Sequence, residues 1–454
     1  MPPTLRQFDV VVLGAGAAGL MCAATAGKRG RRVALLEHNG QAGRKILISG
    51  GGRCNFTNLH CGPQNFISEN GHFAKSALAL YQPRHFIELV ERYGIAWHEK
   101  TLGQLFCNGS ARAILDMLLA ECELGPDDRG KVELVLNAHG IEVEGAAGGG
   151  FRVVCSQGEF AAGALVVATG GLSIPKMGAT GLGYELARQF GLGVVTPRPG
   201  LVPLVLGGDE ARWTELAGVA TEVVAWVVSA SGEGRNLGAA SKKRTSGAKA
   251  QPHSGDFMSG INPGPTARRS SLAAKEAGAR ETVRFRERML VTHRGVSGPA
   301  VLQASSYWRA GDELVVDLAP ERNVLGSLME LPLKPGVRRD LASLKQALRE
   351  VLPQRLAGFL AEEGAPAGWS NAALEACERR LHRWALHPVG TEGFEKAEVT
   401  AGGVDTDGLQ ARTLEARTVP GLFFIGEGVD VTGQLGGFNF QWAWASGVAA
   451  GKAV

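Results

Sequence analysis

The chain has 454 residues, 44% of them apolar, and 48 Lys/Arg against 44 Asp/Glu give a formal net charge of +4. At roughly 100–200 residues per domain, this length holds two or three domains and a sizeable core, and the near-balance of charge argues against a protein-wide basic surface for nucleic acid. The seven cysteines form no C-x-x-C pair, so neither a zinc knuckle nor a dithiol redox motif is suggested and no metal is expected.

No apolar run approaches the ~20 residues needed to cross a bilayer. The start, "MPPTLRQFDVVVLGAG", has no apolar core followed by a small-residue cleavage site, so a cytoplasmic location is expected.

In chain order, "DVVVLGAGAAGLMCAATAGKRGRRVALLE" predicts a strand at Val10–Leu13, a glycine turn, a helix to about Lys28 and a strand at Val33–Leu36. Both strands are apolar throughout, as in a parallel sheet covered on both faces. Gly14, Gly16 and Gly19, with Ala17 and Ala18 between them, form G-x-G-x-x-G, and Glu37 ends the next strand. Such glycines permit a tight turn, close approach of a pyrophosphate and close helix–sheet packing, while the acid takes ribose hydroxyls. A dinucleotide site follows, and Glu37 disfavours a ribose 2′-phosphate there.

The next stretch, "GRKILISGGGRCNFTN", sets Gly50, Gly51 and Gly52 in a row between Ser49 and Arg53-Cys54-Asn55. Three consecutive glycines are costly to order, so this backbone is expected to lie against the cofactor. Helical spacing then runs from Arg84 to about Glu123, a hairpin or meander covers 132–155, and a strand at Ala164–Gly171 carries Ala168, Thr169 and Gly170. Ser173–Gly183 fits either a site segment or a helix cap built on Thr180.

Short β-like runs at about 200–230 and 284–317 predict an antiparallel barrel or sandwich. Between them lies a Ser/Gly/Ala-rich insertion, about 231–283, too poor in large apolar residues to offset its ordering. Residues 231–288 hold 12 Lys/Arg and 5 Asp/Glu, a local surplus of seven positive charges. A helical segment follows at about 338–386, with Leu374, Cys377, Leu381 and Trp384 on one face. The chain closes with the strand "GLFFIGE", a glycine loop and an apolar helix, in which Trp442 and Trp444 read as packing residues.

Glycine-lined loops thus return repeatedly to one sheet, which suits a long ligand with a flat ring system at its far end, FAD rather than NAD. The segments "GAGAAGL", "GRKILISGGGRCNFTN", "ATGGLSIPKMGATGLGYELARQFG", "LVTHRGVSGPAVLQASS" and "GLFFIGEGVDVTGQLGGFNFQWAWASG" together resemble the BaiN/YhiN-type family of bacterial FAD-dependent oxidoreductases. The resemblance covers almost the whole chain except the basic insertion.

It implies an α/β fold: a glutathione-reductase-like Rossmann FAD domain from residues 1–197 and 391–454, a β-barrel-like domain over 198–337, and a helical subdomain over 338–390. It also implies noncovalent FAD held by Gly14, Gly16, Ala17, Ala18, Gly19, Glu37, Arg44, Lys45, Ser49–Gly52, Arg53, Asn55, Ala168, Thr169, Gly170, Gly426, Glu427, Asp430, Gly436, Gly437, Asn439 and Phe440. Arg53, Cys54 and His293 are the candidate catalytic groups, Arg53 for phosphate or enolate charge and the other two for proton transfer.

No second G-x-G-x-x-G follows a strand within 200–390, so a nicotinamide nucleotide would be a transient reductant rather than a resident. The leading expectation is reduction of an enone-type C=C bond of a small molecule by NAD(P)H through FAD, with no nucleic-acid partner. The alternatives are an amine oxidase using oxygen, and a flavin-bearing protein that binds nucleic acid or another partner through the basic insertion.

Overall fold

The computed structural model describes residues 5–125, 130–146, 149–229, 283–330 and 338–454. The basic insertion lies outside the described residues, apart from Val283 at its end.

The first sheet grows from the βαβ unit: β1 (Leu5–Leu13), α1 (Ala17–Lys28) and β2 (Val33–Leu36). β1 pairs in parallel with β2 on one side and with Gly158–Val167 on the other, and Val132–Val135 extends the sheet beyond β2. Leu422–Phe424 joins in parallel to Leu165–Val167, so the C-terminal segment completes a sheet begun at the N-terminus. Phe151–Cys155 and Glu142–Gly145 add antiparallel strands beside Gly158–Val167. Val10–Leu13 and Val33–Leu36 are buried, as in the interior of a sheet covered on both faces. On one face α1 packs so tightly against the C-terminal helix (Phe438–Ala453) that a Cβ at Gly447 would lie 2.6 Å from the Ala18 carbonyl oxygen.

The second sheet has seven antiparallel strands, in the order 384–386, 313–317, 220–228, 285–291, 295–297, 204–205 and 390–391. Its two outermost strands are separated in sequence by residues 387–389 alone, too short a span to join the ends of a flat seven-stranded sheet. The sheet therefore curls. Helices Leu341–Arg349, Gln354–Glu363 and Asn371–Leu381 share its core through Leu344, Leu348, Leu356, Leu360, Leu374 and Leu381.

Trp384 departs from its expected place on a helix face. The last of those helices ends at Leu381, and Trp384 opens a strand paired with Val316. Its ring meets Trp213 edge-on at 6.0 Å, and the ladder with Leu314–Val316 pairs its backbone. The antiparallel pair Val194–Gly200 and Val399–Val404 connects the two sheets. The fold is thus α/β, a Rossmann sheet with an added antiparallel sheet. No helix among the described residues is long and apolar enough to cross a membrane.

Candidate active site

Three chain segments converge at the end of β1. Gly14 takes φ +103°, and a Cβ there would lie 2.6 Å from the Ala168 carbonyl oxygen, so Ala168–Thr169 presses directly on the turn. A Cβ at Gly19 would come 1.9 Å from the Gly14 carbonyl oxygen. Gly16 differs: it is the N-cap of α1, its φ of −82° suits any residue, and nothing lies within 4 Å of a Cβ added to it. Protein contacts therefore do not require glycine at position 16. What does fit is an approaching ligand phosphate, because the first turn of α1, including Ala17 and Ala18, has no acidic residue and no side-chain cap.

Glu37 stands at the end of β2 beside that turn, 6% exposed. Its carboxylate accepts from Ala15 N–H at 2.9 Å and from the backbone and side-chain amides of Asn39 at 2.9 and 2.8 Å. The acid is thus oriented at the mouth of the glycine turn.

α2 (Arg44–Gly52) brings in the second group. Arg44 donates to Asn39 Oδ1 at 2.6 Å and to the Met177 carbonyl at 3.2 Å, which ties the loop after β2 to 176–177. Lys45 Nζ lies 2.9 Å from Glu427 Oε2 and 2.8 Å from Ser173 Oγ. Glu427 also accepts from Ser173 Oγ at 2.7 Å and from Thr400 N–H at 2.9 Å. Burial opposes the charge on Glu427, but Lys45 and these donors prevail and hold its carboxyl below the usual range. Gly170, at φ +76°, lies against the same carboxylate, and Gly426 packs on Ala18. Thr400, whose Oγ1 receives Leu172 and Ser173 N–H, belongs to this network and was missed in the sequence. The Gly402-Gly403 pair in an apolar strand was the signal: both have positive φ, and a Cβ at Gly403 would lie 2.5 Å from the Gly428 carbonyl oxygen.

The glycine triplet is explained by backbone conformation. Gly50, Gly51 and Gly52 take φ of +56°, +67° and +82°, and a Cβ on Gly51 would touch nothing within 4 Å. α2 breaks here into a left-handed run that turns the chain into β3 (Asn55–Asn58). Ser49 Oγ donates to the Ile46 carbonyl inside the same segment.

Arg53 is exposed as the chain leaves the run, with no ion pair among the described residues. Cys54 is fully buried, and burial pushes its thiol up to about 12, so it is a neutral core thiol here. His293 lies at the exposed hairpin tip between Phe285–Val291 and Gly295–Ser297, and the structure does not bring it into the Lys45–Glu427 network.

β3 meets the C-terminal glycine loop. Asn58 Nδ2 donates to the Gly436 carbonyl at 2.9 Å, and a Cβ on Gly437 would lie 2.9 Å from Asn55 Oδ1. Gly436 and Gly437 take φ of +114° and +94°, and Gly437 caps the C-terminal helix without any side chain. Asn439 is turned inward, where it exchanges hydrogen bonds with Gly433 at 2.8 and 2.9 Å and so holds the loop. Phe440 stacks on Trp444 at 5.4 Å, and Trp444 in turn stacks on Phe86.

Asp430 is 4% exposed and accepts from Glu69 N–H at 2.8 Å and Ser68 Oγ at 3.4 Å, in a cleft of about 440 Å3 also lined by Arg198 and Arg309. Burial pushes its carboxyl up to about 6. A raised folded pKa means that the native state binds the extra proton, so its contribution is complete below the unfolded value of ~3.9 and is lost as pH rises through 6. We predict that urea denaturation of apoprotein between pH 4 and pH 7 shows Asp430→Asn gaining on the parent as pH rises, by about 2–3 kcal/mol in total. A difference independent of pH would count against a buried, protonating Asp430. Thr180 Oγ1 accepts from Leu182 N–H at 3.4 Å, a turn one residue before Gly181, which caps the helix without a side-chain bond.

A Rossmann sheet with a glycine turn open to phosphate, an acid at the second strand and a glycine loop returning from the C-terminus defines an FAD-dependent oxidoreductase of the Rossmann class. The chain belongs to the HI0933-like family, whose Rossmann domain matches residues 8–453.

It is 42% identical to the ribosomal RNA dihydrouridine synthase of Escherichia coli (strain K12), over 99% of this chain and 98% of that protein. The enzyme of the same name from Haemophilus influenzae is 37% identical, over 99% of both chains. A 3-dehydro-bile acid delta(4,6)-reductase from Clostridium scindens is 28% identical over 98% of both, in line with the BaiN/YhiN-type resemblance.

These relatives overturn two expectations, the small-molecule enone substrate and the absence of a nucleic-acid partner. Relatives named for RNA and for a bile acid both match across almost the whole of this chain, the motifs behind the resemblance included. Those motifs therefore do not by themselves fix the substrate.

Proposed function

We propose that this chain reduces a uridine of ribosomal RNA to dihydrouridine. The observation that carries the proposal is the end-to-end 42% identity with an enzyme of that name. The chemistry is coherent with the site. The C5=C6 bond of uracil is conjugated to the C4 carbonyl, so saturation requires hydride at C6 and a proton at C5. When bound, FAD supplies the hydride, and NAD(P)H as its reductant belongs to the same proposal.

The chain's own residues then have the following roles. Gly14, Gly16 and Gly19, with the N–H groups of Ala17 and Ala18, hold the pyrophosphate, and Glu37 takes the ribose hydroxyls. The Lys45–Glu427 pair fixes the two glycine loops relative to each other. Gly436 and Gly437 leave the N–H groups at the start of the C-terminal helix uncapped by any side chain, and these would favour negative charge on a bound flavin. Arg53, exposed beside this region, meets anionic groups of the substrate. The target base must leave its stack to reach such a site, and the positive surplus of residues 231–288 suits a phosphate-rich partner.

The test uses ribosomal RNA transcribed in vitro, which carries no modified base. FAD-loaded protein with NADH or NADPH, without oxygen, is expected to convert one or a few uridines to a nucleoside heavier by two hydrogens, read by mass spectrometry of the digest. No such nucleoside with either donor, from protein whose flavin is bleached by the donor, would reject the proposal.

A further inference from the structure

A groove of about 420 Å3 runs along α3 (Lys75–Leu80) and α4 (Pro83–Arg92), and its position suggests a role. One wall begins at Leu59, the residue after Asn58, which bonds the Gly436 carbonyl. A second includes Pro63, and Asn65 two residues on exchanges hydrogen bonds of 2.9 Å with Gln434 through both backbone and side chain. A third includes Gln82 and Pro83, and Gln441 of the C-terminal helix donates to the preceding Tyr81 carbonyl at 2.7 Å while accepting from Thr57. A residue within two positions of each of these three walls is thus bonded to the 434–441 segment that carries the candidate ring-binding loop.

The lining is apolar at its centre and cationic at its rim. Leu59, Leu78 and Ile87 supply apolar surface, and Leu59 remains 44% exposed. Lys75 and Arg84 are exposed at the rim, and neither side chain makes a hydrogen bond or ion pair among the described residues. No carboxylate lines the groove, although Glu88 lies one turn beyond Arg84 on α4. Cys61 also lines it, and burial pushes this thiol up to about 12, so it brings no negative charge.

We propose that this groove receives a nucleotide of the RNA strand next to the uridine being reduced, with the base on the apolar floor and Lys75 and Arg84 on the flanking phosphates. The inference rests on the RNA reading above and deepens it. Apolar surface for a base face beside two unpaired cations is the complement of a single-stranded nucleotide, and an extruded base necessarily brings its neighbours with it.

The test is the FAD-loaded Lys75→Ala/Arg84→Ala double variant with in-vitro-transcribed ribosomal RNA. We expect unchanged flavin content and melting temperature, a KM for the transcript raised about tenfold or more, and kcat within about twofold. The slope of log affinity against log salt should become shallower by about 1.4, two single-strand phosphates at ~0.7 each. Lys75→Arg/Arg84→Lys should restore most of the affinity. An unchanged KM with an unchanged salt slope overturns the groove while leaving the RNA reading intact. If the parent protein forms no dihydrouridine, the RNA reading fails by itself, and the groove is judged by filter binding of the same transcript: equal salt slopes for parent and double variant overturn it, and a shallower slope for the variant upholds it as a nucleotide-binding groove but overturns its place beside a reduced uridine.

Discussion

Gly19→Ala is expected to purify colourless and to melt well below the parent protein. The added Cβ would sit 1.9 Å from the Gly14 carbonyl oxygen and 3.3 Å from the Ala168 Cβ. Neither neighbour can yield cheaply, because Gly14 is itself pressed against the Ala168 carbonyl oxygen. α1 must therefore move off the sheet, which also loosens its seat against the C-terminal helix at Gly447. We expect a stability loss of about 2–4 kcal/mol, the upper range for overpacking a close contact, and loss of retained flavin by absorbance.

Gly16→Ala is the matched control. Nothing in the protein opposes that Cβ, so the apoprotein should melt as the parent does while flavin retention falls about a hundredfold, because the methyl enters the space left for pyrophosphate. If Gly16→Ala bound FAD as well as the parent, the phosphate site would have to be moved away from this turn.

The second large effect is expected at the Lys45–Glu427 pair. Glu427→Gln leaves Lys45 without its counter-charge and turns an amide toward Ser173 and the Thr400 N–H, all of which donate to the present carboxylate. Breaking a fully buried pair costs about 3–5 kcal/mol, but the two side chains keep 34% and 21% exposure, so about 2–3 kcal/mol is expected. The pH dependence gives an independent check. Glu427 has a lowered folded pKa, so its contribution is complete above the unfolded value of ~4.3 and disappears as pH falls through the folded value. Denaturation curves of parent and variant should therefore converge in acid, the opposite trend to Asp430→Asn. Lys45→Met with Glu427→Gln should cost less than the sum of the single changes. Strict additivity would show that the two residues act separately.

Much of the cofactor end was legible along the chain. The βαβ unit, its glycines and Glu37 announce themselves within a few dozen contiguous residues, because a tight turn, a helix start and a strand end impose local backbone requirements that only certain residues meet. The family followed from longer motifs of the same kind. The proposed RNA substrate did not, since a surface for RNA needs only charge and exposure, properties that the proposed contacts Lys75 and Arg84 share with any solvated surface.

Other features depended on partners far away in sequence. Nothing in the sequence joins Lys45 to Glu427, 382 positions later, yet the structure sets them 2.9 Å apart. The bonds by which the Asn439 amide holds Gly433 are invisible in the sequence, and Trp384 reads as a helix residue until Val316 claims it for a strand. The glycine triplet lies between these cases: the sequence by itself showed that something unusual was required of Gly50–Gly52, and only the structure showed that the requirement is three positive φ angles in succession. Sequence alone thus determined the Rossmann turn and the class of cofactor, because glycine and acid spacing act through the local backbone. Tertiary structure decided the ion pair and the groove beside the glycine loop, because burial, pairing and charge complementarity exist only once distant segments are packed together.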